Sequence, residues 1–200
     1  VASDPMTRML QWGVENSDLS EFHQKAEAIR AGKLKVDPVD REVMEVLFGD
    51  KGKFLQKAAN ALKDAVEKGK EDPIVEALEV LEDEVSDIDN AGDLDHVGAL
   101  NQVLGLLEHE LSRVRQAAFW VLGTCVQSLP KMQELTLSRG VAPKLLKPLK
   151  EAGKSLKKVE PKLLAKNVYA LSSFLRSCAT CFDEFTRLGG GDALAELLRG

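Results

Sequence analysis

From about residue 72 onward the chain repeats itself, and no other feature narrows its fold as much. Gly98, Val103, Leu104 and Leu107 recur 42 residues later as Gly140, Leu145, Leu146 and Leu149. Glu134, Thr136 and Gly140 return as Glu184, Thr186 and Gly190 at a spacing of 50. The additional residues fit a longer, Lys-rich connector over 151–160. Each unit reads as a short first helix, a sharp turn at glycine, a second helix and a longer third helix. The third helices are expected at 74–87, 111–128 and 161–177. The glycines at 189–191 fall at the same turn and read as a left-handed helix stop, since no Gly-Lys-Ser/Thr follows them and no strand precedes them.

A period near 42 with three helical segments is the armadillo pattern. No such unit buries its apolar face alone, so neighbours stack. The expected fold is therefore all-α, a right-handed superhelical solenoid of armadillo repeats preceded by N-terminal helices. Leucine dominates with 30 residues while aromatics make up 5% of the chain, the composition of helices packed on helices. In the middle third helix Val114, Ala118, Val121, Leu122 and Cys125 share the inward phase. Arg113, Gln116, Trp120, Thr124 and Gln127 are left toward a groove lined by third helices. Trp120 reads equally well as a wedge between repeats or as an anchor for a partner. The sequence stops after a second helix at 193–198, which suggests an array truncated at its C-terminus.

Ahead of the repeats, residues 1–5 read as a non-native extension before Met6, 6–36 as a flexible N-terminal segment and 37–71 as N-terminal helices. Within them, helices are expected from Ser20 to Ile29 and after Asp37-Pro38. The repeats occupy 72–200. Net charge is −5, which argues against sequence-independent grip on nucleic acid. No apolar run approaches the roughly 18 residues that span a bilayer, and no signal-peptide core is present. Three cysteines, Cys125, Cys178 and Cys181, are too few for a disulfide framework, so a reducing, cytoplasmic setting is expected.

Candidate chemistry is sparse. Asp87, Asp89 and Asn90 look like the start of a calcium loop, but Ala91 and Gly98 stand where ligands are required. A helix end and cap is the better reading. Cys178-Ala-Thr-Cys181 has redox or half-zinc spacing with no second pair, and reads as packed thiols. No nucleophile, acid–base pair or metal cluster emerges, so neither catalysis nor a cofactor is expected. Charge, by contrast, is segregated. Eleven acids lie between Glu71 and Asp95, with no Lys or Arg from Glu71 to Ser112; nine basic residues against two acids lie between Arg139 and Lys166. Such runs are solvated faces or a two-signed surface that orients a charged partner.

Four ordered segments carry a resemblance. They are Met9-Leu10-Gln11-Trp12-Gly-Val-Glu15-Asn16-Ser17, Val46-Leu47-Phe48-Gly49, Ser86-Asp87-Ile88-Asp89-Asn90-Ala91, and the block from Arg113 to Gln127 containing Trp120-Val-Leu122-Gly123-Thr124. Together they resemble the armadillo-type nucleotide exchange factors of the seventy-kilodalton heat-shock chaperones, in the cytosolic Fes and heat-shock-binding-protein branch.

The resemblance implies a non-enzymatic, monomeric co-chaperone without cofactor, nucleic acid or membrane. Such a factor holds the chaperone's nucleotide-binding domain on the concave armadillo face and promotes ADP release. Because coupling is reciprocal, it binds the ADP-bound state less tightly than the empty one. Asp89, Asn90 and Ala91 come from the family signature as partner-binding candidates. Glu82, Arg113, Trp120, Thr124, Gln127 and Asn167 join them by helix phase. Met9, Leu10 and Trp12 become a client-release segment that occupies the chaperone's peptide site. The alternative is a generic armadillo scaffold or importin-like cargo binder, which uses a Trp-x-x-x-Asn ladder. The expected ladder positions hold Leu78/Glu82, Trp120/Thr124 and Ala170/Phe174, with one Trp and no Asn.

Overall fold

A glycine at positive φ recurs between first and second helices: Gly98 at 77°, Gly140 at 72° and Gly189 at 79°. An L side chain is strained in that conformation, so each turn selects glycine. In the computed structural model these turns punctuate a chain whose only regular structure, among the described residues, is helix. The structure describes residues 51–199 and a few positions between 24 and 33. Contacts divide the chain into Val1–Gly49 and Asp50–Gly200. In the first unit Gln24, Glu27 and Ala28 are helical, and the Ala31 N–H donates to the Glu27 carbonyl at 2.9 Å. The expectations at Met9, Leu10 and Trp12, and the helix after Pro38, lie outside the described residues.

The second unit begins with α1 (Lys51–Lys68) and α2 (Glu71–Val85). One complete repeat follows: α3 (Ile88–Asp93), α4 (Ala99–Leu106) and α5 (Ser112–Val126). The next is α6 (Pro130–Ser138), α7 (Val141–Lys154), a single 3-10 turn at Leu156–Lys158, and α8 (Pro161–Leu175). Then come α9 (Ala179–Arg187) and α10 (Gly190–Arg199). The third helices α2, α5 and α8 lie within three residues of their expected limits at either end. Helix α5 packs against α2 on one side and α8 on the other, while α10 packs on α7. This is the armadillo order of an all-α repeat protein.

One continuous core runs through the second unit. Leu62, Leu78, Leu81, Val114, Leu122 and Leu145 are each wholly buried, and Phe119 and Phe174 are its largest side chains. The longer, Lys-rich connector expected over 151–160 is mostly helix. Helix α7 has 14 residues where α4 has 8, Val159 is buried, and Glu160 reaches back to α5. Its carboxylate accepts from Ser112 Oγ at 2.6 Å and from Gln116 Nε2 at 3.0 Å.

Three expectations need correction. The left-handed glycine of the last unit is Gly189 rather than Gly190, so the second spacing is 49 and not 50. Cys178 and Cys181 are joined as a disulfide rather than packed as thiols; Cys125 alone is a free, buried thiol, which burial pushes up to a pKa of about 12. Asn167, placed on the groove wall by phase, is wholly buried. Its Nδ2 donates to the Leu145 carbonyl at 3.0 Å and so ties α8 to α7.

Candidate partner-binding face

The phase of α5 leaves Trp120 and Thr124 half-buried and Arg113 and Gln127 exposed, while Val114, Ala118, Val121, Leu122 and Cys125 point into the core. With the spacings set by the helix starts, the position of Trp120 corresponds to Glu79 on α2 and Tyr169 on α8. Expected ladder positions Leu78, Ala170 and Phe174 are instead wholly buried. The one-residue offset between spacings of 50 and 49 rotates an α8 residue by about 100°, enough to exchange core for surface. Tyr169 and Lys166 were missed for this reason. Tyr169 is the chain's single tyrosine, and the corrected spacing alone would have placed it beside Trp120.

These side chains join the three third helices. Thr124 Oγ1 donates to Glu82 Oε1 at 2.7 Å. With its one proton so committed, Thr124 accepts in its 3.1 Å contact with the Tyr169 hydroxyl. Gln127 Oε1, 3.2 Å from the same hydroxyl, competes for the tyrosine proton. Lys166 Nζ stands 3.2 Å from the centroid of the Trp120 ring, a cation–π geometry. Burial lowers the Lys166 pKa, and the nearby Glu82 charge works in the opposite direction. Close approach of α5 and α8 depends on Gly123, because a Cβ there would overlap the Tyr169 ring and lie 3.1 Å from Ala170 Cα.

At the end of this face a hollow of about 310 Å³ is lined by Thr124, Gln127, Ser128, Val85, Ser86, Ile88 and Ala91. Ile88 is 57% exposed there. The neighbouring signature residues divide. Asp89 is exposed, whereas Asn90 and Ala91 are buried. Asn90 Nδ2 donates to the Glu84 carbonyl at 3.0 Å and lies 3.3 Å from Glu84 Oε2; Ala91 offers its carbonyl to Cys125 Sγ at 3.6 Å. Asp87 accepts from the Asp89 N–H at 3.0 Å and caps α3. The acidic signature thus builds a helix junction, with Asp89 its exposed carboxylate. Among the described residues no group of three His, Cys, Asp or Glu is gathered as a metal site, and no helix is long and apolar enough to cross a membrane.

The segregated charges meet across successive units. Asp72 takes Arg113 Nη1 at 2.7 Å, and that hydrogen bond and charge raise the guanidinium's pKa. Asp95 takes Arg139 at 2.7 Å, and Arg139 also donates to Asn101 Oδ1 at 2.7 Å. Glu108 takes Lys144 at 2.7 Å. Each pair links one unit to the next, and Asp95–Arg139 joins the acidic run over 71–95 to the basic run over 139–166.

Two family models match. One, the SIL1/FES1/HPBP1 C-terminal domain, covers residues 90–200, and the other, nucleotide exchange factor Fes1, covers 6–94. The chain is 33% identical over 149 residues to the Hsp70 nucleotide exchange factor fes-1 of Neurospora crassa, an alignment spanning 73% of this chain and 58% of that protein. It is 29% identical over 188 residues to the Hsp70 nucleotide exchange factor FES1 of Gibberella zeae, spanning 92% of this chain and 83% of the relative. With FES1 of Coccidioides immitis the identity is 26% over 195 residues, spanning 96% and 87%. A family model over more than half its length shows that the chain, an all-helical repeat array with left-handed glycine turns, belongs to the Fes1/SIL1/HPBP1 family of nucleotide exchange factors.

Proposed function

We propose that this chain is a non-enzymatic nucleotide exchange factor that promotes ADP release from the nucleotide-binding domain of a cytosolic Hsp70. The observation that carries the reading is the pair of family models, which together run from residue 6 to residue 200. The face of α2, α5 and α8 suits docking on a folded domain. It offers Trp120 with Lys166 over its ring, Glu82 and Tyr169 joined through Thr124, and an exposed Arg113. Aromatic and arginine residues are the usual anchors of such interfaces. The solenoid supplies a right-handed concave wall in this reading. Met9, Leu10 and Trp12 assist client release at the chaperone's peptide site, and the factor acts as a monomer in the cytoplasm.

Exchange requires the factor to favour the nucleotide-free state of its partner, and ADP must weaken the factor's binding by the same factor that the factor weakens ADP's. Stopped-flow release of a fluorescent ADP from a cytosolic Hsp70, with and without the 200-residue chain, tests this directly. Acceleration is expected, together with tighter binding to the domain in the absence of ADP. An unchanged release rate and ADP-independent binding would reject the reading. The cargo-binder alternative has no support on this face, where the positions equivalent to Trp120 hold Glu79 and Tyr169 and those four residues on hold Asp83, Thr124 and Ser173, with no asparagine.

A further inference from the structure

The same backbone corner is built twice, and only the second version carries a covalent link. After α5, Ser128 adopts φ 59° and Leu129 caps the nine-residue α6; after α8, Ser177 adopts φ 60° and Cys178 caps the nine-residue α9. Met132 of the first corner, whose N–H donates to the Leu129 carbonyl at 3.0 Å, corresponds to Cys181 of the second. The first corner holds with Leu129 and a buried Met132 and no covalent link. A corner of this backbone shape thus forms without a covalent link, there with Pro130 at the helix start, and the bond between Cys178 and Cys181 is an addition to it. A ring this short also constrains the unfolded chain much less than a long loop would.

The two sulfurs are not equivalent. Cys178 keeps 8% of its surface exposed while Cys181 keeps none. Cys178 Sγ sits at the N-cap of α9, accepts the Cys181 N–H at 3.2 Å and lies 3.5 Å from Thr180 Oγ1. Donors and helix dipole at that end favour negative charge on Cys178, the environment that makes a thiolate reactive. We propose that Cys178 and Cys181 form a reversible thiol–disulfide exchange site for low-molecular-weight thiols and disulfides, with Cys178 as the sulfur that reacts.

In the reducing direction a thiolate RS⁻ attacks Cys178 Sγ. The Cys178–Cys181 bond breaks, its electron pair goes to Cys181 Sγ, which takes a proton, and RS–Cys178 is left as a mixed disulfide. A second thiolate attacks the RS sulfur, releasing RSSR and returning Cys178 as thiolate. Two electrons pass from two thiols to the protein disulfide. With RSSR in excess the sequence reverses, Cys181 acting as the resolving thiol. This site is independent of the exchange-factor reading.

The test uses the full chain with glutathione and glutathione disulfide as probes. Equilibration over a range of ratios, acid quench and maleimide labelling read by mass spectrometry should give one two-electron transition that gains label at both Cys178 and Cys181. Native-state labelling should leave the buried Cys125 unmodified, as an internal control. Cys181→Ser should trap glutathione on Cys178 at least about tenfold faster than Cys178→Ser traps it on Cys181. Equal or reversed rates, or a pair that stays dithiol at every ratio, would overturn the proposal. Cys178→Leu combined with Cys181→Met, the residues of the preceding corner, should keep the helical circular dichroism and the melting temperature. Loss of fold in that variant would make the bond architectural and would also overturn it.

Discussion

The repeats α3–α5 and α6–α8 share a plan and diverge where each meets its neighbours. Their third helices are both 15 residues long and both begin after a left-handed glycine turn and a second helix. Yet the second helix is 8 residues in one and 14 in the other, and equivalent third-helix positions carry different loads. Gly123 on α5 lies under the Tyr169 ring, while its counterpart on α8, Ser172, is exposed. Position within a repeat decides the backbone; position within the stack decides the side chain.

The largest expected effect breaks that pair of equivalents. Gly123→Ala should destabilise the chain by about 2–3 kcal/mol in urea denaturation, the range for forcing a methyl into packed surroundings, whereas Ser172→Ala should change little. Adding Tyr169→Ala to Gly123→Ala should recover part of the loss, because it removes the ring but not the 3.1 Å approach to Ala170 Cα. Simple additivity of the two costs would show that the ring is not the obstacle.

Next comes the contrast between the aromatics at the same phase of α5 and α8. Trp120→Ala should weaken Hsp70 binding by about 2 kcal/mol, roughly thirtyfold, as truncating an interface anchor does. Tyr169→Phe keeps the ring and loses only the hydroxyl contacts to Thr124 and Gln127, so its cost should stay below about 1 kcal/mol. Calorimetric titration against the isolated nucleotide-binding domain would separate the two. An unchanged affinity for Trp120→Ala would assign that side chain to packing between repeats.

The period, the three third helices and the glycine turns were legible in the sequence because each depends on local spacing. The register of the last unit was not. Three consecutive glycines at 189–191 can each supply a positive φ, and only packing selects Gly189. That ambiguity carried Ala170 and Phe174 onto the ladder and hid Tyr169. Asn167 misled for a different reason. A polar residue reads as surface unless one knows that its amide reaches the Leu145 carbonyl on another helix. The cysteine spacing reads as packed thiols because nothing in the sequence fixes how close the two sulfurs come, and the turn into α9 brings them within bonding distance.

A smaller effect follows from the amides that close helix ends. Gln133 on α6 is buried and donates to the Ser173 and Arg176 carbonyls of α8, both at 2.8 Å. Its counterpart on α9, Phe182, is 56% exposed and holds nothing comparable. Gln133→Ala should cost about 1–1.5 kcal/mol, since the exposed Arg176 segment gains water in exchange while the buried Ser173 carbonyl does not. Hydrogen exchange should show the loss confined to the last turn of α8. Phe182→Ala should leave that turn as protected as before.

The smallest effect belongs to the charge pairs between repeats, and it also fixes a pH window. The hydrogen bond from Lys144, at 2.7 Å, is the main reason the Glu108 carboxyl lies below its ordinary range; the Lys144 and Lys147 charges assist, and partial burial opposes them. A carboxylate with a lowered folded pKa contributes stability that is fully present above the unfolded value, near 4.3. Below that value the unfolded chain binds the proton first, so the contribution falls with pH and is gone once pH passes below the depressed folded value. Glu108 is 43% exposed, and solvent screening holds the pair to about 0.5 kcal/mol. Glu108→Gln should therefore cost that amount at neutral pH and nothing in strong acid. The Arg139–Asp95 pair, with both side chains under a third exposed, should lose less of its contribution to added salt than the Glu108 pair does. A Glu108→Gln penalty that persisted unchanged into strong acid would mean that the side chain acts through packing rather than through its charge.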